Sequence, residues 1–135
     1  MDIDKVVAEL RAIERRYAPP GGASVAGYAQ QLAEWRTREP DSEEVCWGGD
    51  ATGAWVVVML CARYGIRPYR RPRQKAATTC VLAPAGFVSK VFWPQALEMM
   101  GAFERARRAM AEEIVTAWLG TAGEQVFVVD EEPGR

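Results

Sequence analysis

The chain has 135 residues, 49% of them hydrophobic, five tryptophans and a formal net charge of −1, enough for one domain with a real core. It contains no histidine. That removes imidazole acid–base catalysis, Ser–His and Cys–His nucleophile pairs, and most zinc and non-haem iron sites.

The small net charge conceals segregation. Residues 1–62 carry six basic and ten acidic groups, residues 63–108 ten basic and two acidic, and residues 109–135 one basic and six acidic. A positive middle between negative ends implies either an anionic partner or internal neutralisation on folding.

The first helix is expected to run from a cap at Asp2 or Asp4 to about Tyr17, with Val6, Leu10, Ile13 and Tyr17 on its buried stripe. Glu9, Arg11, Glu14 and Arg15 fall on its solvent side. Ala18-Pro19-Pro20-Gly21-Gly22 breaks the chain. Ser24 is placed to cap a second helix over about 25–38, buried through Tyr28, Leu32 and Trp35.

Glu39 to Asp50 reads as a solvated acidic loop, with Val45, Cys46 and Trp47 pinning it to the body. Its carboxylates do not match an EF-hand spacing. The Gly-rich stretch Trp47–Gly53 lacks the lysine of a phosphate-binding loop, so Asp50 is read as a helix cap. A third helix over about 51–64 is apolar nearly all round, which places it at the centre of the fold, with Gly65 at its C′ position.

Arg67-Pro68-Tyr69-Arg70-Arg71-Pro72-Arg73-Gln74-Lys75 follows, holding five cations in nine residues. Its prolines exclude helix and favour extended backbone. Alternation then puts Arg67, Tyr69, Arg71, Arg73 and Lys75 on one face. Residues 66–71 and 77–83 are expected to pair as a β-hairpin with a basic tip. Pro84 begins a short helix through Phe92.

Pro94 stands at the first turn of a helix expected over 94–119, buried through Leu97, Met100, Phe103, Met110, Ile114, Ala117 and Trp118. At about 40 Å it exceeds a body of this size, which points to a homodimer through that helix. Arg105, Arg107 and Arg108 make a second cationic cluster. Gln125–Val129 reads as a last strand, and 131–135 as a frayed tail.

The fold class is therefore α+β: a mostly helical single domain over 1–135, a small antiparallel sheet made of the basic hairpin plus a C-terminal strand, and one long C-terminal helix. Cys46, Cys61 and Cys80 are odd in number, without a CxxC pair or a leading signal peptide. They fit reduced thiols in a bacterial or phage cytoplasm, with Cys61 and Cys80 in the core. The longest apolar run is too short to span a bilayer.

Two functions compete. The first is nucleic-acid binding, single strands favoured, with Arg67, Arg70, Arg71, Arg73 and Lys75 on phosphates, Arg105, Arg107 and Arg108 as a second site, and Tyr69 stacking on a base. The second is a protein-interaction module, of accessory, inhibitor or immunity type, docking an acidic partner through the same edge. No catalytic residue, metal or cofactor is expected. Cys46 is the one thiol considered as a nucleophile, and it has no evident base.

Overall fold

The computed structural model describes residues 3–17, 24–48, 51–70, 78–104, 111–119 and 130–131. Its elements are α1 (Ile3–Tyr17), α2 (Val25–Arg38), β1 (Glu43–Trp47), α3 (Ala51–Tyr64), β2 (Tyr69–Arg70), β3 (Thr79–Ala83), α4 (Ala85–Phe87), a π turn (Val88–Phe92), α5 (Trp93–Glu104), α6 (Ala111–Leu119) and β4 (Asp130–Glu131). The fold is α+β and mostly helical, with a small, largely antiparallel sheet.

Local signals explain most of the helices. α1 carries Asp4 in its first turn and Arg15 and Arg16 in its last, each complementing the helix dipole. Ser24 caps α2, its Oγ accepting from the Gly27 N–H at 3.0 Å. In α3 every residue from Val56 to Cys61 is buried; α2, α5, α6 and the sheet pack against it. α3 ends at Gly65, whose φ of 72° suits a residue without Cβ. There the Gly65 N–H donates to Ala62 and the Ile66 N–H to Cys61, the paired bonds of a Schellman ending.

The sheet order is β1-β3-β2-β4. β3 is antiparallel to both neighbours, and β4 runs parallel to β2. The hairpin partners β2 and β3 pair as expected, although β2 holds only Tyr69 and Arg70, directly after Pro68. The expected strand 125–129 lies outside the described residues; the C-terminal strand that joins the sheet is Asp130–Glu131.

Four readings of the sequence are corrected. The acidic stretch 39–50 is not all loop, because Glu43–Trp47 forms β1 along the whole of β3. Its two glutamates weaken intrinsic strand preference, and pairing with β3 overrides it. Glu14 is buried rather than solvated. Cys46 and Cys80 are opposite one another in register and are joined as a disulfide, leaving Cys61 as the free buried thiol among the described residues.

The fourth concerns the long helix. Helical structure runs from Ala85 to Glu104, so Pro94 is interior rather than at a first turn. Proline cannot donate to a carbonyl four residues back and clashes with it. The π turn just before it widens the helix, the Trp93 N–H donating to Val88. At the other end, α5 is described to Glu104 and α6 from Ala111. Glu98 of α5 bonds Arg16 and Tyr17 at the end of α1. Arg63 links Glu14, a turn earlier on α1, to the Trp118 carbonyl of α6. Both segments pack on α1 of their own chain.

Candidate functional site

The sheet has two unlike faces. Val45, Trp47, Thr79 and Val81 face the helices and, with Val57, Val88, Phe92 and Trp93, line a small apolar recess. Without polar partners such a recess is no site for a polar ligand. Trp47 lies so close over Gly53 that a Cβ there would come within 2.3 Å of the ring. Gly53 is thus a packing residue of α3 and not part of an anion loop; Gly49 and Asp50 lie outside the described residues.

The opposite face carries Glu44 and Cys46 of β1, Cys80 of β3 and Tyr69 of β2. Register sets Cys46 opposite Cys80, and Cys80 opposite Tyr69, in one row across three strands. Glu44, two residues before Cys46, shares its face. The Tyr69 hydroxyl donates to Oε2 of Glu44. One ligand atom from each of Glu44, Cys46 and Cys80 lies within 4.8 Å of the other two.

The basic segment enters this face at its start. Arg67 and Arg70 are exposed, while Pro68 and Tyr69 are buried. Tyr69 is therefore not on a cationic row: 3% exposed and bonded to Glu44, its ring is unavailable to a base. A tyrosine turns inward where its hydroxyl finds a partner. Tyr64, the other aromatic near the segment, is buried edge-on between Tyr28 and Phe87. Arg71, Arg73, Lys75, Arg105, Arg107 and Arg108 lie outside the described residues. β4 sets Asp130 beside Tyr69 and Glu131 beside Arg70 in register, so an acidic strand borders the basic one.

Elsewhere, Glu39 accepts from the Gly86 N–H through both oxygens, at 3.3 and 3.0 Å. It caps α4 from a distant part of the chain, an ordinary use of a carboxylate at a helix start. Burial pushes the Cys61 thiol up, which keeps it protonated and inert. Among the described residues no helix is long and apolar enough to cross a membrane.

Sequence reasoning missed Glu44 as a partner of the two cysteines. The signal was present as Glu44-x-Cys46, an i, i+2 pair, but it carries meaning only once residues 43–47 are known to be a strand. Comparison with protein-family models, curated proteins and solved structures finds no match to this chain.

Proposed function

We propose that the protein is a non-catalytic protein-interaction module whose binding surface is the region around Arg67 and Arg70, where the chain enters β2. The observation that carries this reading is the parallel pairing of Asp130–Glu131 with Tyr69–Arg70. A nucleic acid presents uniform negative charge and is attracted by uninterrupted cations. Here exposed Arg67 and Arg70 are bordered by an acidic strand, and the sheet's other edge bears exposed Glu43 and Glu44. Interspersed charges of both signs suit a protein surface that carries their complement.

The second reading, nucleic-acid binding through Arg67, Arg70, Arg71, Arg73 and Lys75, is favoured by the density of cations in that segment. Fluorescence anisotropy with labelled single-stranded DNA, duplex DNA and RNA, over a salt series, separates the two. The protein-interaction reading expects flat anisotropy at ~10⁻⁴ M protein and low salt, where even non-specific binders usually register. It also expects a protein captured by the wild type and lost with R67E/R70E. A log K against log salt slope of about −3 to −4, abolished in R67E/R70E, overturns it in favour of nucleic acid.

A further inference from the structure

We propose that Glu44, Cys46 and Cys80 form a zinc site in the dithiol form of the protein, with Tyr69 orienting the carboxylate. The disulfide in the structure is the oxidised alternative to that site.

The argument begins with register. Cys46 and Cys80 are opposite residues on neighbouring strands, so both sulfurs project from one face at one level. Glu44 adds a carboxylate on the same face, and the three ligand atoms fall within 4.8 Å of one another. A tetrahedral zinc ion with bonds of about 2.3 Å to sulfur and 2.0–2.2 Å to oxygen needs its ligands roughly 3.5–3.8 Å apart. The two sulfurs are bonded to one another in the disulfide and separate to that spacing on reduction; the carboxylate oxygen lies within 4.8 Å of both, and all three donors stand on paired strands rather than on independent loops.

The donor set selects the ion. Two thiolates and one carboxylate suit zinc, whereas magnesium and calcium take oxygen ligands. The Tyr69 hydroxyl donates to Oε2 of Glu44. A hydrogen bond to a ligating carboxylate is the usual outer support of such a site. Glu44 is exposed, so water can reach the fourth position. Cys61 takes no part, since it is buried in α3 within the helical core.

The two forms interconvert with balanced chemistry. A dithiol reductant gives two electrons and two protons to the Cys46 and Cys80 sulfurs and itself closes to a disulfide. Zinc then displaces both thiol protons. Reoxidation by a disulfide of higher potential removes two electrons and expels the ion.

The test uses the full chain, reduced, freed of reductant without air and titrated with zinc against a chelating dye. Alkylation followed by mass spectrometry reads which cysteines are protected. The expected result is one equivalent of zinc bound by the reduced protein, none by the oxidised protein, and protection of Cys46 and Cys80 by zinc. E44Q, on an exposed edge strand, is expected to keep the fold and weaken binding by ~10–100-fold, and Y69F to weaken it by about 10-fold. No zinc bound by the reduced wild type, equal binding by the oxidised protein, or an unchanged affinity in E44Q overturns the proposal. The comparison of oxidised with reduced wild type needs no variant, so misfolding of a variant cannot obscure the outcome.

Discussion

Arg63 of α3 donates through Nε to Glu14 of α1 at 3.0 Å, and its Nη2 donates to the Trp118 carbonyl of α6 at 2.9 Å. One guanidinium thereby ties three helices together. It also lies over the Trp118 ring at 5.0 Å and near the Tyr28 ring at 6.0 Å. Only 6% of the Glu14 side chain is exposed, so removing Arg63 strands a carboxylate away from water. Loss of one partner of a buried pair costs about 3–5 kcal/mol; because the Arg63 side chain keeps 21% of its exposure, R63A is expected nearer about 2–3 kcal/mol. R63A/E14A is expected to recover part of that loss, since no buried charge is then unpaired. Urea midpoints of the two single variants and the double variant check this, and additive losses would refute the coupling.

The Gly65 ending of α3 gives a cleaner test of backbone strain. A Cβ at Gly65 would meet nothing within 4 Å, so crowding contributes nothing. The cost of G65A comes from its φ of 72° alone, about 1–2 kcal/mol for an L-residue in the left-handed region. G65N, which tolerates that region better, is expected to lose less. Thermal unfolding that ranked alanine above asparagine would show that the Schellman ending does not anchor this helix.

The Cys46–Cys80 bridge closes a loop with a sequence separation of 34. For a loop of that length, chain-entropy restriction of the unfolded state stabilises by about 3–4 kcal/mol. Denaturation midpoints measured with and without a dithiol, in metal-free buffer, are expected to differ by that order. With zinc present, the proposed site would offset part of the difference. An unchanged midpoint on full reduction would mean that the bridge constrains little.

Legibility in the sequence followed the range of the interaction concerned. The Ser24 cap of α2, the Gly65 ending of α3 and the buried stripes of α1 and α2 were legible because a helix buries neighbours at i, i+3 and i+4 and ends on local chemistry. β1 was not legible, since Glu43-Glu44 gains strand structure only from a partner some 35 residues away, with each of its bonds supplied by β3. The same distance hid the Cys46–Cys80 pairing and the burial of Glu14, whose partner Arg63 sits on another helix. Tyr69 was misplaced by counting alternation from Arg67. Pro68 and Tyr69 are both buried, because the irregular backbone before β2 does not obey the period of two. Pro94 misled in the opposite sense: a helix-start signal was accommodated inside a helix by one widened turn.

Tyr64 supplies a prediction at alkaline pH. Its ring is buried between Tyr28 and Phe87, and its hydroxyl accepts from Nε2 of fully buried Gln95 at 3.2 Å. Burial pushes the phenol from 10.0 to about 12, against a smaller downward pull from the Gln95 bond. The folded state thus holds this proton more tightly than the unfolded state does. Its contribution is complete below about pH 10 and is lost as pH rises towards about 12. A displacement of that size corresponds to on the order of 2–3 kcal/mol. Burial also raises the Tyr28 phenol, which steepens the decline in the same direction. Wild-type stability is therefore expected to fall between pH 10 and 12, and Y64F to fall less steeply by up to one proton's slope. Chemical denaturation at pH 8, 10 and 11.5 measures this, and parallel curves for the two proteins would show that Tyr64 ionises as freely when folded as when unfolded.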